Sequence, residues 1–400
     1  MKWFLIIFLT VLPVTFAGTL IPSVKTEKQL PELSSNIDEV FTTEETEIAT
    51  AFFDKMVIET KYNGVMLVAK YGKIVFKKAH GVKDFVTKDS MDVNTAFQLA
   101  SVSKQFTSTA ILVLYERGLI QLTDTIQQHI PEFPYEGITI KMLLTHRSGL
   151  PNYGYFPDEY LAPYTFMTND DLIKTLIKHK PDIYFKPGRM YDYSNTGYAI
   201  LASIVERITK KPFAEFIQSE FFTPLSMTES FVYNPTYDYS SKNIAIGHER
   251  GTAPAQPIIA DGILGDKGIY SNMHDLFIWD QALYSNKIVS AESLELAFTP
   301  SISYRYTATK NYGFGWRLLQ LNNNERVVYH TGWWRGFNSL FVRVLPNQTT
   351  LIFLTNRRTR AFFHAWVDFL NELHGIEYHD QMFSDTETDL EYDNLDSLQQ

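Results

Sequence analysis

The sequence predicts an α+β fold in which one antiparallel sheet is built from strands near both ends of the chain. Two strand patterns occupy residues 64–79, and four more follow between residues 312 and 355. Helical patterns cover most of residues 120–310, and further helices precede and follow the strands. Together these observations favour a sheet flanked by N- and C-terminal helices, with a helical subdomain of about residues 105–310 inserted between its strands.

The chain begins with the pattern of an export signal over residues 1–17. Met1 and Lys2 form a short positive region, an apolar stretch follows, and Thr15-Phe16-Ala17 resembles a cleavage site. The apolar stretch is shorter than the ~20 residues that cross a bilayer. Cleavage after Ala17 is therefore the favoured interpretation, with an uncleaved anchor or a buried segment as alternatives. The polar residues 18–42 are predicted to form a linker.

The main domain is predicted to span residues 43–375. Apolar residues recur at helical spacing over residues 44–60, which indicates an amphipathic helix. A hairpin follows, with strands at residues 64–70 and 73–79 joined at Tyr71-Gly72. The next helical pattern opens near Ser101 and closes at Gly118, a typical C-terminal stop.

Strand patterns return in the last quarter of the chain, at residues 312–319, 326–330, 338–345 and 350–355. The last two are joined by Pro346-Asn347-Gln348, which indicates a hairpin. A helix over residues 361–374 completes the domain. The tail at residues 376–400 has no Lys or Arg and many Asp and Glu, so we expect a solvated, disordered end, with partner binding as the alternative.

Composition narrows the class of protein. A hydrophobic content of 45% and a charged content of 20% are those of a globular chain that buries a core. The net charge of −9 argues against nucleic acid and anionic membranes as partners. The absence of cysteine excludes disulfides, thiol catalysis, cysteine metal sites and a cysteine lipid anchor. In an exported protein this favours a bacterial envelope, periplasmic or secreted.

Ser101-Val102-Ser103-Lys104 is the only Ser-x-x-Lys in the chain. Residues three apart share a helix face, so Lys104 is predicted to lie beside the Ser101 hydroxyl. A helix N-terminus favours a developing oxyanion, and burial favours the neutral, proton-accepting form of a lysine. The pair therefore makes Ser101 a candidate nucleophile. A capped helix start with a solvated lysine is the alternative.

A tyrosine and an asparagine two residues apart could supply a proton shuttle and an amide. Tyr193-Ser194-Asn195 has this spacing, but so do Tyr270-Ser271-Asn272, Tyr284-Ser285-Asn286 and Tyr392-Asp393-Asn394. Tyr193 follows a turn and precedes an apolar helix, whereas Tyr270 precedes a helix cap, Tyr284 ends a helix and Tyr392 lies in the tail. Tyr193 and Asn195 are therefore the better placed candidates.

His330-Thr331-Gly332 is predicted to end a strand. An edge strand there can donate a backbone amide to a substrate carbonyl, while its side chains face the pocket. A histidine satisfied at a strand end is the alternative for His330. The chain contains no His-Glu-x-x-His metal motif. It also contains no Gly-x-Ser-x-Gly nucleophile elbow, so the α/β-hydrolase route to a serine nucleophile is absent.

Ser101-x-x-Lys104, Tyr193-x-Asn195 and His330-x-Gly332 together resemble the serine β-lactamase-like family, which includes class C β-lactamases, DD-peptidases and esterases. Four flanking segments strengthen the resemblance, which covers roughly residues 45–375: they are residues 143–151, 185–198, 223–227 and 265–271. The resemblance implies a β-lactamase/transpeptidase-like fold and a serine hydrolase that forms an acyl-enzyme. It implies no metal and no cofactor.

The resemblance also implies roles for the motif residues. Ser101 would be acylated, and Lys104 and Tyr193 would share the proton transfers, with the acylation base left open. Asn195 would hold the substrate or Lys104, and the backbone amides of Ser101 and Trp333 would form the oxyanion hole. His330, Thr331, Gly332 and Trp333 would line the substrate site. His146 and Asp266 are read as structural.

One departure bears on the substrate. Class C β-lactamases carry lysine at the place of His330, and a neutral histidine would recognise a carboxylate weakly and with pH dependence near ~6.5. We therefore expect acyl transfer to water from a peptide, an ester or a lactam, with a carboxypeptidase or esterase favoured over a strong β-lactamase. The substrate would be a small molecule or peptidoglycan-like. A non-catalytic envelope protein that binds peptidoglycan or a partner is the rival reading. The aromatic loop at residues 153–164 would wall an apolar pocket or simply pack.

Overall fold

The computed structural model describes residues 43–249, 251–301, 311–320, 326–358 and 362–374. The predicted signal segment, linker and acidic tail lie outside the described residues. The strands are β1 (Gly64–Lys70), β2 (Lys73–His80), β3 (Phe97–Gln98), β4 (Phe231–Val232), β5 (Ile269–Ser271), β6 (Asn311–Tyr312), β7 (Arg317–Gln320), β8 (Arg326–Trp334), β9 (Phe337–Val344) and β10 (Thr349–Thr355).

The α-helices are α1 (Thr43–Thr60), α2 (Lys104–Glu116), α3 (Ile126–His129), α4 (Ile140–Leu144), α5 (Asp158–Leu161), α6 (Asn169–His179), α7 (Asn195–Thr209), α8 (Phe213–Ile217), α9 (Met273–Tyr284), α10 (Ala291–Ala297) and α11 (Phe362–His374). Short 3-10 turns at Ala100–Ser103, Tyr153–Tyr155 and Ile259–Gly262 prove important for the site.

Strands from both parts of the chain form one antiparallel sheet in the order β2-β1-β10-β9-β8-β7-β6. The two sets meet where β1 pairs with β10, in a register that places Gly64 opposite Thr355. The α+β prediction is therefore confirmed, with helices α2 to α10 inserted between β2 and β6 in the sequence.

Both faces of this sheet are buried. On β1, Val65 and Leu67 belong to the core shared with the inserted helices, while Met66 and Val68 face a second core that includes residues of α1 and α11. A strand that is buried on both faces has a continuous apolar sequence. Successive side chains point to opposite faces of a strand, so they alternate between the two cores.

The predicted strand at residues 312–319 is divided into β6 and β7. Gly315 has a φ of +77°, and a Cβ there would lie 2.6 Å from the Lys104 carbonyl oxygen and 2.5 Å from Ser108 Oγ. The chain therefore bends where it packs directly on the backbone of α2, and only glycine fits that approach.

The inserted region also contains a small sheet, in the order β3-β5-β4. Of these strands, β4 and β5 lie within residues 120–310, where the sequence pattern predicted mostly helix. Its strands are two or three residues long, which is too short for a period-two pattern to be recognised. Pairing of Phe97 with Ser271 and Gln98 with Tyr270 anchors the chain immediately before the turn that carries Ser101.

Candidate active site

Ser101 lies in the 3-10 turn that leads into α2. The residue before it, Ala100, has a φ of +48°, a conformation that is uncommon outside glycine. Hydrogen bonds tie the turn to β5: the Leu99 amide donates to the Ile269 carbonyl at 2.8 Å, and the Ile269 amide donates to Ser103 Oγ at 3.2 Å. The strained turn is thus held rigidly and presents Ser101 at a partly exposed position.

Lys104 is completely buried beside Ser101. Its Nζ donates to Ser101 Oγ at 3.0 Å, to Asn195 Oδ1 at 2.8 Å and to the Asp266 carbonyl oxygen at 2.9 Å. The alternative of a solvated lysine at a capped helix start is therefore wrong. The expected side-by-side arrangement holds, although α2 begins at Lys104 itself and Ser101 belongs to the preceding turn.

Tyr193 and Asn195 approach Lys104 from the start of α7. Ser194 caps this helix and Asn195 is its first residue. Lys104 Nζ lies 4.8 Å from the centre of the Tyr193 ring. By contrast, the Tyr270 ring stacks on Phe231 at 5.0 Å, and Tyr284 lies beside Arg343. Of the three Tyr-Ser-Asn segments, only the first is brought to Lys104 by these contacts; Tyr392 lies outside the described residues.

The third motif lies inside a strand rather than at its end. β8 continues through Thr331, Gly332 and Trp333 to Trp334, so the expected strand end at His330 is wrong. Among the described strands, β7 pairs with β8 only as far as Tyr329. Beyond that point the edge of β8 faces the Ser101 turn. A Cβ on Gly332 would lie 3.1 Å from the Ser101 amide nitrogen and would clash with the Leu99 carbonyl oxygen.

His330 is completely buried. Its Nδ1 lies 2.6 Å from the Thr331 carbonyl, which only accepts, so Nδ1 carries the proton and Nε2 accepts from Tyr312 Oη at 2.8 Å. Burial, with help from the charges of Arg317 and Lys104, lowers the pKa of His330 well below 6.5. The pKa of His330 is thus lower than the expected value of ~6.5, and the expected recognition of a carboxylate loses the support of a positive charge on this ring.

His146 has the packing role that its loop predicted. Its ring lies 4.2 Å from the Tyr193 ring, and its Nδ1 accepts the Ser194 amide proton at 3.1 Å. Burial and the nearby Lys104 charge lower the pKa of His146 well below its usual value. The neutral imidazole thereby holds the segment that carries Tyr193 and Asn195.

Asp266 lies next to a second buried lysine, which none of the three motifs includes. Lys267 Nζ donates to Tyr153 Oη at 2.8 Å and to the Ile263 carbonyl at 2.9 Å, and lies 3.6 Å from Asp266 Oδ1. Tyr153 Oη donates to Asp266 Oδ2 at 2.5 Å. Burial lowers the pKa of Lys267 although Asp266 opposes this. The adjacent opposite charges between Gly265 and Gly268 were the only sequence signal.

Arg317 on β7 was also missed. Its guanidinium carbon lies 5.6 Å from the Tyr193 ring, and its charge helps to lower the pKa of both His146 and His330. A single arginine in a strand pattern carries no motif. Its placement depends on β7 lying beside β8, which the spacing of residues does not show.

A cavity of about 370 Å³ opens beside the end of β8. Its walls include Tyr153 and Phe156 from the aromatic loop, Ile258, and Trp333 and Trp334 from β8. Two other rings of that loop do not line the cavity: Tyr160 stacks on His179 at 3.9 Å, and the Tyr164 hydroxyl pairs with Thr175. Tyr155 is exposed. The aromatic loop therefore serves both of the roles left open by the sequence.

Two further findings concern the whole described chain. No helix among the described residues combines the length and the apolar character that a bilayer crossing requires. Within those same ranges, His, Asp and Glu form no group that could hold a metal ion.

Comparisons with known proteins agree on one family. The family model described as Beta-lactamase matches residues 49–371. Penicillin-binding protein 4* of Bacillus subtilis (strain 168) is 34% identical over 320 residues, which cover 76% of this chain and 70% of that protein.

Two solved structures show the same fold. The octameric penicillin-binding protein homologue from Pyrococcus abyssi has a TM-score of 0.71 at 24% identity, covering 83% of this chain and 77% of that one. The D-amino acid amidase from Ochrobactrum anthropi SV3 has a TM-score of 0.69 at 20% identity, covering 83% and 99%. At these identities the likeness concerns the fold alone.

Proposed function

This chain belongs to the beta-lactamase family of serine hydrolases, and from that we propose that it transfers an acyl group to water through a covalent intermediate on Ser101. The acyl group comes from a peptide, an ester or a lactam. The observation that carries the proposal is the 3.0 Å hydrogen bond between Lys104 Nζ and Ser101 Oγ, made by a fully buried lysine.

In the first step Ser101 Oγ attacks the substrate carbonyl carbon, a new C–O bond forms, and the bond to the leaving group breaks. The hydroxyl proton passes through Lys104 or Tyr193 to the departing nitrogen or oxygen. In the second step a water molecule attacks the acyl carbon, its proton returns to Ser101 Oγ, and the acid is released. Asn195 and the Asp266 carbonyl hold Lys104 in place through both steps.

The transition state carries negative charge on the former carbonyl oxygen. The backbone amides of Ser101 and Trp333 are assigned to stabilise it. The support for this is the packing of Gly332 against the Ser101 amide, which sets the edge of β8 against the nucleophile turn. Thr331 and Trp333, both partly exposed on that edge, would contact the bound substrate.

Arg317 supplies the cation for a substrate carboxylate. His330 is buried and neutral, so it shapes the strand rather than carrying charge. Arginine keeps its charge at every physiological pH and binds carboxylates through two parallel hydrogen bonds. A partly exposed arginine beside Tyr193 suits a carboxypeptidase substrate or an ester with a remote carboxylate.

The substrate class is an amide or ester rather than a strongly preferred β-lactam. The support is that the relative from Bacillus subtilis is named a penicillin-binding protein, whereas the solved structure named a D-amino acid amidase shares the fold alone. A peptidoglycan-like peptide, a D-aminoacyl amide, a small ester and a β-lactam therefore make up the set to test.

The proposal is tested by labelling with a serine-reactive fluorophosphonate and by hydrolysis of p-nitrophenyl esters, nitrocefin, D-Ala-D-Ala peptides and D-aminoacyl amides. We expect the label on the peptide that contains Ser101, and we expect Ser101→Ala to lose both labelling and turnover. Ser219→Ala, at an exposed serine, is the matched control and should change neither. Retention of more than about a hundredth of the wild-type rate by Ser101→Ala would contradict the assignment.

The same proposal places the protein outside the cytoplasm, in the bacterial periplasm or the medium. The support is the export pattern of residues 1–17. Cell fractionation with N-terminal sequencing tests it: the mature chain should begin at Gly18, and a chain that still begins at Met1 in the cytoplasmic fraction would refute it.

A further inference from the structure

We propose that the 370 Å³ cavity beside Trp333 holds the acyl side chain of the substrate and that it selects an uncharged, apolar group about the size of a phenylalkyl chain. This inference rests on the proposed hydrolase function and specifies what that site hydrolyses. An apolar cavity of ~150 Å³ accommodates benzene, so this one has room for a ring and the methylenes that link it to the carbonyl.

The cavity is connected to the reacting groups through its own walls. Trp333 follows Gly332, which packs on the Ser101 amide. Tyr153 donates its backbone amide to Thr196 Oγ1 at 2.8 Å, next to Asn195, and its hydroxyl to Asp266, whose carbonyl holds Lys104. A group bound in the cavity therefore lies against the same segments that position Lys104 and the β8 edge.

The lining is apolar where it is closed. Phe156 and Trp334 are buried, and Leu161 and Ile259 extend the apolar surface. Burial of each methylene against such walls is worth about fourfold in binding. Asp158 also lines the cavity, but it lies exposed in the first turn of α5, at the open side.

The cation at the cavity edge is neutralised. Arg335 donates to Asp261 Oδ2 at 2.6 Å, and Asp261 Oδ1 accepts from Trp334 Nε1 at 2.9 Å. Arg335 and Gly336 both have positive φ, as the two-residue turn between β8 and β9 requires, and this turn holds Arg335 at the edge. With Asp261 beside it, Arg335 offers an acidic side chain no net attraction.

A larger cavity of about 690 Å³ shares Arg335 and Pro257 with this one. Its lining carries charged side chains that include Lys83, Asp84 and Asp89 beside aromatic rings, whereas the described residues that line the smaller cavity carry charge only at Asp158 and Arg335. A bulky substitution should therefore reduce the acyl selectivity only if it fills the smaller cavity. The chain offers three isoleucines of nearly equal exposure for this comparison: Ile258 in the smaller cavity at 40%, Ile246 in the larger at 41%, and Ile177 on α6 at 39%.

The experiment compares kcat/KM for p-nitrophenyl 4-phenylbutyrate with that for p-nitrophenyl acetate. In the wild type we expect the ratio to exceed tenfold. Ile258→Trp should lower the ratio about tenfold, while Ile246→Trp and Ile177→Trp should leave it within about twofold. Thermal unfolding of each variant shows that it is folded. A ratio near one in the wild type, or a loss with Ile246→Trp instead, would overturn the proposal.

A second variant tests the charge argument. Asp261→Asn keeps an oxygen that can accept a hydrogen bond but removes the charge that neutralises Arg335. Because Asp261 also accepts hydrogen bonds from Trp334 Nε1 and the Ile258 amide, thermal unfolding must show that the variant is folded. We expect hydrolysis of the p-nitrophenyl monoester of glutarate to rise about fivefold relative to the butyrate ester. No change in that ratio would show that acyl groups do not reach Arg335. If Ser101-dependent hydrolysis is absent for every ester, the proposed function fails; if it is present without this selectivity, only the cavity assignment fails.

Discussion

Two buried lysines lie on either side of Asp266, and they differ in what surrounds their charge. Lys104 donates to three neutral oxygens, on Ser101, Asn195 and the Asp266 backbone. Lys267 lies 3.6 Å from the Asp266 carboxylate and over the rings of Tyr153 and Trp334. A lysine among neutral acceptors beside a hydroxyl is placed to exchange a proton with that hydroxyl, whereas the carboxylate beside Lys267 stabilises the charged form and offsets part of the effect of burial on its pKa.

The comparison teaches that burial alone does not identify a reactive lysine. Both side chains are almost inaccessible, at 0% and 2% exposure. The two lysines differ in the groups that contact each ammonium, and these groups come from segments far apart in the sequence. The first two of the five predictions below test this contrast directly, and the others concern the tyrosine and the histidine near Lys104, in order of decreasing expected effect.

The strongest test replaces Lys104. Lys104→Met keeps the length of the side chain but removes the proton acceptor, so kcat on the best ester should fall by about a thousandfold or more. Lys267→Met should lose far less of the rate once corrected for the folded fraction. Equal losses of kcat in the two variants would erase the distinction between a reactive and a structural lysine.

The next effect concerns stability. Lys267→Met leaves the Asp266 carboxylate buried without its cation, which should lower the free energy of unfolding by about 3 kcal/mol in urea titrations. The double variant Asp266→Asn/Lys267→Met should recover part of that loss, because no isolated charge remains. A double variant no more stable than the single one would show that the pair does not interact in this way.

Tyr193→Phe separates proton transfer at Lys104 from packing. The ring and its contact with His146 are kept, but the phenol is lost, so kcat should fall about a hundredfold. Tyr270→Phe, at another Tyr-Ser-Asn segment, is the control and should change kcat less than threefold. A larger loss with Tyr270→Phe in a folded protein would mean that the second motif has been placed on the wrong copy.

The smallest effect is a dependence of stability on pH. The pKa of His330 is lowered in the folded protein, so below pH 6.5 the unfolded chain takes up a proton that the folded chain does not. Stability should therefore decrease as pH falls below 6.5, by at most ~1.4 kcal/mol per pH unit for this group, and His330→Gln should show a shallower decrease. Urea titrations between pH 7 and 5 measure how the free energy of unfolding changes with pH in the wild type and in the variant. Identical slopes would show that His330 does not cause the pH dependence.

Recognition of a carboxylate should follow the same logic. Because His330 stays neutral, the ratio of kcat/KM for a carboxylate ester to that for a matched neutral ester should not change between pH 6 and 8. A tenfold rise in this ratio as the pH falls through 6.5 would instead show that His330 binds the substrate carboxylate. The structure thus changes the charge expected for His330, while His330 keeps its position beside the candidate active site.

Several features were predictable because local spacing carries them. Apolar runs of alternating or helical period placed β1, β2, β9, β10 and the terminal helices within a residue or two. Other features depended on contacts that spacing does not show. The break before β7 comes from Gly315 packing on α2, and the continuation of β8 past His330 comes from its pairing with β9.

By itself, the sequence singled out the candidate residues for the chemistry: one Ser-x-x-Lys, a tyrosine before an apolar helix and a glycine two residues after a histidine. These are short patterns, and neighbours along the chain suffice to interpret them. Only the tertiary structure decided which charges are buried, paired or neutral. The Asp266 carbonyl that holds Lys104 is 162 residues away, and Tyr153, which bonds to Lys267, is 114 residues away. The state of a charge depends on its surroundings in space, which no local pattern records.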